Sequence, residues 1–98
     1  MATSGNDKTR STAPLRVLCR SNLRENRINI HPNDGFDLGF MTTRYTVAME
    51  EGRQAEVWLL NECPLESVEL STADWERLGK PKAAILRYDG TLLRVEKA

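Results

Sequence analysis

Three side chains in the sequence have the chemistry of a soft metal ligand, or of a nucleophile with its base: Cys19, His31 and Cys63. A structural zinc site uses four such ligands, and two of them usually form a close pair such as C-x₂-C. These three residues stand far apart and form no such pair, so we expect neither a metal nor a cofactor. A cysteine paired with the single histidine would allow a small thiol or hydrolytic enzyme, which is one alternative function.

The rest of the sequence contains none of the patterns typical of a catalytic site. Its six glycines are isolated from one another, so it has neither a phosphate-binding loop nor a G-x-S-x-G nucleophile elbow. The acidic pair Glu50-Glu51 falls in a predicted turn. We therefore expect a protein that is not an enzyme.

The sequence also bears on the compartment. Residues 1–14 contain no apolar stretch of the kind found in a secretory signal, and no apolar run exceeds four residues. We expect a cytoplasmic protein with no membrane contact. Cysteines rarely form disulfides in a reducing compartment, so Cys19 and Cys63 are expected to be free, buried thiols.

Charge is unevenly distributed along a chain whose 14 basic and 14 acidic residues cancel. The segment 45–79 is acidic, and the segments on either side of it are basic. Four arginines, Arg16, Arg20, Arg24 and Arg27, belong to a predicted first β-hairpin and lie mostly on its outer face. Because arginine suits bidentate contacts with phosphate, this face is a candidate nucleic-acid surface.

Two observations favour a protein ligand over a nucleic acid. Proteins that bind single strands combine basic with aromatic side chains, and the predicted first hairpin contains no aromatic residue. The net charge of zero also differs from the basic footprint of a nucleic-acid-binding domain. In a further interpretation the arginines only form ion pairs with the acidic strands. We expect a binding module, such as an adaptor or inhibitor, that acts through protein–protein interaction; nucleic-acid binding is the alternative.

A second hairpin is predicted at the C-terminal end, around the turn pair Asp89-Gly90. Type I′ geometry is expected there, with positive φ at both turn residues. Apolar side chains lie on both faces of this hairpin, and a single helix covers one face at most. We therefore expect an interface through Tyr88 and Leu93, either with a partner or with a second subunit in a homo-oligomer.

Two further residues complete the candidate binding set. Trp58 is included because tryptophan is enriched at binding hot spots, and His31 because it lies on the polar face of a predicted strand. The candidate binding residues are therefore Arg16, Arg20, Arg24, Arg27, His31, Trp58, Tyr88 and Leu93.

Alternation of apolar and polar residues predicts seven short strands and one helix. The strands are expected at 15–20, 27–31, 44–50, 54–61, 65–70, 83–88 and 91–96. The helix should begin at Ser71, whose side chain can cap the helix N-terminus with Asp74 at the third helical position, and it should end at Gly79. Residues 33–35 (Asn-Asp-Gly) predict a turn.

These elements predict a mainly β fold. Residues 1–14 are polar and are expected to form a disordered tail, and residues 15–98 to form a single small domain. Seven short strands with one short helix indicate a small barrel of SH3-like or similar topology, or a compact sandwich. No internal repeat is apparent in the sequence.

Overall fold

The structure is a computed structural model that describes residues 9–98, and residues 1–8 lie outside the described part. The strands are β1 Arg10–Ser11, β2 Leu15–Arg20, β3 Arg27–Ile30, β4 Arg44–Met49, β5 Gln54–Leu59, β6 Ser67–Ser71, β7 Ala83–Tyr88 and β8 Leu92–Lys97. Two helices, α1 Pro32–Phe36 and α2 Thr72–Arg77, follow β3 and β6, and a 3₁₀ turn occupies Glu50–Gly52. No helix in this part of the chain is long and apolar enough to cross a membrane.

Seven of the strands form a closed barrel, which confirms the predicted class of a small, mainly β barrel. The strands follow the order β7-β2-β6-β3-β5-β4-β8, and β8 closes the ring by pairing with β7. The pairs β2–β6, β3–β5 and β4–β8 are parallel, and the others are antiparallel. β1 adds to the end of β7.

The prediction that β2 and β3 pair as a first hairpin is wrong. β6 lies between β2 and β3, parallel to the first and antiparallel to the second. Alternation of polar and apolar residues located both strands, but it carries no information on which strands are neighbours. The four candidate arginines therefore belong to two separated strands and the loop that joins them.

The barrel contains an internal repeat that was not expected from the sequence. β2, β3, α1 and β4 form one strand–strand–helix–strand unit, and β5, β6, α2 and β7 form a second. In each unit the second strand pairs in parallel with the first strand of the other unit. The antiparallel pair β3–β6 lies at the centre, and β8 stands outside the repeat, between β4 and β7.

Helix α2 confirms the helix predicted after Ser71. The Ser71 hydroxyl accepts a hydrogen bond from the Asp74 amide at 3.1 Å. Gly79 follows the helix with φ of +98°, the left-handed conformation expected at a helix C-terminus. The Trp75 ring packs against the core, and its indole nitrogen donates to the Pro81 carbonyl.

Helix α1 replaces the turn predicted at 33–35, so residues 9–98 contain two short α-helices rather than one. His31 is the N-cap, and its Nδ1 accepts a hydrogen bond from the Asn33 amide at 3.0 Å. Pro32 occupies the first helical position, where its missing amide has no partner to lose. This cap and the proline begin a helix in a sequence that is otherwise typical of a turn.

Each helix is joined to the other unit by an aspartate at its third position. The Asp34 carboxylate accepts the Glu66 amide at 2.9 Å, and the Asp74 carboxylate accepts the Asn26 amide at 2.7 Å. Glu66 and Asn26 directly precede β6 and β3, and both have positive φ. The two contacts are equivalent in the repeat, so the units hold each other in register. Since β3 and β6 are antiparallel, the helices that follow them lie at opposite ends of this pair.

The predicted disordered tail, residues 1–14, includes residues that the structure places against β7. Arg10 and Ser11 pair with Tyr88 and Arg87 of β7. Thr12 is 5% exposed, and its hydroxyl oxygen accepts the Leu86 amide at 3.2 Å. Hydrogen bonding to β7, rather than apolar burial, orders this polar segment. The prediction for residues 1–8 lies outside the described residues.

The turn of the C-terminal hairpin differs from the expected type I′ geometry, because only Gly90 has positive φ. The Asp89 carboxylate accepts the Thr91 and Leu92 amides at 2.8 and 2.7 Å. The hydrogen bond from the Leu92 amide lowers the pKa of Asp89 most, and the bond from the Thr91 amide lowers it further. Hydrogen bonds to the Asp89 side chain thus stabilise this turn, and a second residue with positive φ is not needed.

Candidate binding site

A cavity of about 220 Å³ opens at the α2 end of the barrel. It lies between α2, the 3₁₀ turn after β4, and β8, where β4 and β8 are joined by only two residue pairs. Its apolar lining consists of Ile28, Met49, Leu70, Leu78, Leu93 and Val95. These residues come from strands and a helix that are distant in sequence, so the barrel closure creates the cavity.

Charged side chains surround this apolar lining, and two of the three arginines are neutralised. Arg77 forms ion pairs with Glu25 and, at 2.7 Å, with Asp74. The hydrogen bond to Glu25 is the main reason why the pKa of Arg77 is raised. Arg94 pairs with Glu50 at 3.1 Å.

Arg53 is the exception among the cavity arginines. Its Nη1 donates to the Asn26 side-chain oxygen at 3.3 Å, but it forms no ion pair within residues 9–98. Its Nε is buried and has no hydrogen-bond partner among those residues. A buried donor without an acceptor is unfavourable by about 1–3 kcal/mol. Among the three cavity arginines, Arg53 is therefore the one whose charge no described carboxylate balances through an ion pair.

A second feature lies on the outer face of β3, β5 and β4. The guanidinium of Arg27 lies 4.2 Å from the centre of the Trp58 ring, and that of Arg44 lies 5.2 Å from it. The Trp58 indole nitrogen donates to Glu56 at 3.1 Å. Because β3 and β5 are parallel neighbours, the structure brings together two candidate residues, Arg27 and Trp58. Trp58 is the aromatic residue that the predicted hairpin lacked.

The other arginines of the candidate set behave differently. Arg20 pairs with Glu69 at 3.1 Å and Arg24 with Glu56 at 3.4 Å. These contacts support the interpretation in which arginines pair with the acidic middle strands. Arg16 is exposed on β2 and forms no ion pair with any described residue.

The remaining candidates are parts of the fold. His31 is half-buried and caps α1. Tyr88 is half-buried, with its ring centre 5.0 Å from that of the buried Phe40. Leu93 has 0% exposure, so its side chain belongs to the core and the cavity lining rather than to the outer surface, and the interface through this hairpin stays a prediction. The inner face of its hairpin is covered because β8 closes the barrel, whereas the outer face carries the partly exposed ion pair between Arg87 and Glu96.

The two cysteines occupy contrasting environments, and neither forms a disulfide. Cys63 is 1% exposed, and burial raises the pKa of its thiol to about 12. The thiol is therefore protonated near neutral pH, which argues against a Cys63 nucleophile. Cys19, predicted to be buried, is exposed at the end of β2, with its sulfur 3.5 Å from the Thr72 hydroxyl.

Sequence reasoning missed the cavity arginines, above all Arg53. A single arginine after a turn is unremarkable, and its environment depends on the Asn26 loop and on strand closure. The one local signal was Asn26 itself, because asparagine tolerates the left-handed conformation that it adopts with φ of +68°.

No protein-family model, curated protein or solved structure matches the chain. Within the described range, no group of three or more His, Cys, Asp or Glu side chains is arranged to hold a metal ion. Two features of the described residues group side chains that a ligand could contact: the cavity, and the outer face formed by Arg27, Arg44 and Trp58, which we call the Trp58 face.

Proposed function

We propose that the protein is a non-enzymatic binding module that acts through a protein partner, and that its cavity receives one apolar side chain of that partner. The observation that carries this proposal is the size and lining of the cavity. Its volume of about 220 Å³ is below the roughly 300–1,000 Å³ of most small-molecule sites. It exceeds the roughly 150 Å³ that can admit a benzene ring. One large aliphatic or aromatic side chain matches this space.

The surroundings of the cavity also support a protein partner. An apolar pocket enclosed by polar and charged groups is the environment in which a few anchor residues supply most of the binding energy. The pairing of Arg77 and Arg94 with carboxylates leaves little net charge at the opening. Binding there would depend on shape and apolar contact more than on long-range attraction.

The test uses small molecules that imitate side chains. Toluene, p-cresol and indole are titrated into the full-length, isotope-labelled protein and followed by NMR. We expect amide shifts clustered around the cavity with at least one of them. Leu78→Phe should abolish these shifts by filling the space, whereas Leu65→Phe, at a leucine that is 56% exposed, should leave them unchanged. Shifts that are absent from the cavity, or that persist in Leu78→Phe, would overturn the proposal.

The Trp58 face favours nucleic-acid binding as a second candidate, because two arginines there lie over an aromatic ring. A mixed-sequence single-stranded oligonucleotide is tested by electrophoretic mobility shift at about 50 and 200 mM salt. Salt-sensitive retardation that is lost in Trp58→Ala, and retained in Arg16→Gln, would support this function. Unchanged mobility of the oligonucleotide at both salt concentrations would exclude it.

A further inference from the structure

The edge of β8 beside the cavity is incompletely paired. β8 pairs with β7 from Ala84↔Lys97 to Tyr88↔Leu93, but its pairing with β4 ends at Met49↔Leu93. The chain then leaves β8 through the 3₁₀ turn. Beyond Leu93, this side of β8 has no neighbouring strand among the described residues.

The direction of the backbone groups on this edge follows from the hairpin. The Asp89 amide donates to the Leu92 carbonyl, and the Ala98 amide donates to the Ala83 carbonyl. In an antiparallel pair the hydrogen-bonding direction alternates from residue to residue. The amides and carbonyls of Val95 and Lys97 therefore point away from β7, and they have no hydrogen-bond partner within residues 9–98. Such groups are a template for another strand.

This edge and the cavity are continuous, because Val95 lines the cavity. A segment placed along Val95 and Lys97 would alternate its side chains between two faces, and one face would look into the cavity. Arg53 also lines the cavity and carries the buried Nε that lacks an acceptor. The site thus combines a backbone template, an apolar space and a cation.

We propose that an extended peptide segment of the partner adds as a short strand to β8 at Val95 and Lys97, inserts an apolar side chain into the cavity, and brings a carboxylate to Arg53. This inference rests on the proposed function, because it uses the same cavity, and it defines the conformation and chemistry of the ligand. Backbone pairing supplies affinity in this mode of recognition, and the side-chain pocket supplies specificity.

In the register with the most backbone pairs, a second copy of the chain does not fit this edge. A symmetric antiparallel pair centred on Val95 would place the second copy's Lys97 opposite Leu93. Met49 of β4 already occupies that position. A peptide can end before the 3₁₀ turn, whereas a whole barrel cannot.

The first test identifies peptides and then removes their backbone donors. Linear nine-residue peptides are selected by phage display on the full chain, and the best one is synthesised with single N-methylated amides. We expect N-methylation at alternate positions to weaken binding at least about tenfold, and methylation between them to have little effect. If no amide matters but the apolar anchor does, strand addition is wrong and the proposed function stands. If neither matters, both proposals fail.

A variant pair tests the β8 side of the same contact. Val95→Pro removes an amide that is not bonded to β7, whereas Val95→Thr keeps the amide and nearly the same shape. Peptide binding should fall at least about tenfold in the proline variant and change little in the threonine variant. Equal binding by both variants would overturn the proposal. Thermal unfolding checks that both fold, and the N-methyl series decides the question if the proline variant does not.

The role of Arg53 is tested by pairing changes in protein and peptide. The selected peptides are expected to carry an acidic residue. Replacing that residue by its amide should weaken binding about tenfold in the wild type, and much less in Arg53→Met. The same loss in both proteins would remove Arg53 from the site. Light scattering of the free protein completes the test, since a dimer that Val95→Pro dissociates would show that a second copy occupies the edge instead.

Discussion

The two units of the barrel repeat the same elements, yet their helix ends differ in packing. At the α1 end, Leu38 is 2% exposed. At the α2 end, the equivalent Leu78 is half-buried and lines the cavity. The aspartates at the third helical position follow the same trend, because Asp34 is buried and Asp74 is half-buried. One unit thus closes its end of the barrel, and the other leaves space for a ligand.

The difference arises from two features of the chain. At the closed end, Gly35 allows Leu59 to pack directly on α1, and the equivalent residue in α2 is the bulky Trp75. At the open end, β8 enters the ring and meets β4 over only two residue pairs. An internal repeat can therefore supply stability with one copy and a binding site with the other. Four predictions test this comparison.

The largest expected contrast is between the two cysteines. Cys63 lies at the closed end, where its thiol faces the Asn29 and Ser67 carbonyls, and Cys19 is exposed near α2. Reaction of Cys63 with a disulfide reagent such as DTNB requires opening of the core. If opening is unfavourable by about 5 kcal/mol, Cys63 should react about a thousandfold or more slowly than Cys19. The Cys19→Ser and Cys63→Ser variants assign the two phases.

The pH dependence of this contrast has a definite sign. The pKa of the native Cys63 thiol is about 12, above its ordinary value of 9.0. Between these values the unfolded thiol ionises and the native one does not, so the contribution of Cys63 to stability falls as pH rises. Cys63→Ser should remove this component from the unfolding free energy measured above pH 9.0. Equal labelling rates for both cysteines at neutral pH would show that the α1 end is open.

The second prediction compares equivalent leucines. Leu38→Ala should lower the free energy of unfolding by about 2–5 kcal/mol, because it leaves a cavity in a packed region. Leu78→Ala should lower it by only about 1 kcal/mol, because Leu78 is only partly buried and already borders the cavity. Urea unfolding measures both values. Similar losses for the two variants would mean that the ends do not differ in packing.

The third prediction concerns Gly35. A Cβ at this position would lie 2.5 Å from the Leu59 Cδ2 atom, so Gly35→Ala should destabilise the fold by about 1–3 kcal/mol. Shortening the opposing side chain should relieve the contact. The double variant Gly35→Ala/Leu59→Val should therefore be more stable than the sum of the two single changes predicts. Simple additivity would show that the glycine does not determine the close approach of α1.

These contrasts also show which parts of the molecule are encoded locally. Alternation located β2, β3, β4, β5, β7 and β8 with small errors at their ends, and Ser71, Asp74 and Gly79 specified α2 through contacts within a few residues. α1 was missed because its Asn-Asp-Gly sequence is also typical of turns, and the deciding cap is His31, an uncommon N-cap residue.

The neighbours of each strand depend on contacts that local patterns do not encode. The parallel pairs join segments separated by a helix or by several strands. Alternation therefore could not show that β6 lies between β2 and β3, nor could it reveal the internal repeat. For the same reason, Arg27 and Trp58 were both selected as candidates without a predicted contact. Arg53 was not selected at all, because only closure of the barrel places it in the lining of a cavity.

The smallest expected effect concerns the turn at the open end. Glu51 and Gly52 both have positive φ, +65° and +76°, although glutamate is unfavourable in this conformation. The equivalent turn at Asp89-Gly90 avoids this strain, because only its glycine is left-handed. Asparagine tolerates positive φ better than glutamate does, so Glu51→Asn should raise the free energy of unfolding by about 0.5–1 kcal/mol. Glu62→Asn, with the same charge change at an exposed position of ordinary φ, should have almost no effect.

Ligand binding by the Glu51→Asn variant distinguishes two explanations of the left-handed conformation of Glu51. If the left-handed glutamate merely reflects a poor turn residue, Glu51→Asn will stabilise the fold and leave the NMR shifts caused by toluene, p-cresol and indole unchanged. This is the expected result, because asparagine adopts the same backbone conformation and Arg53, which donates its amide to Glu50, keeps its place. A stabilised variant that no longer responds to the three compounds would instead show that the glutamate side chain shapes the cavity. The open end would then depend on strain in this turn as well as on the short β4–β8 pairing.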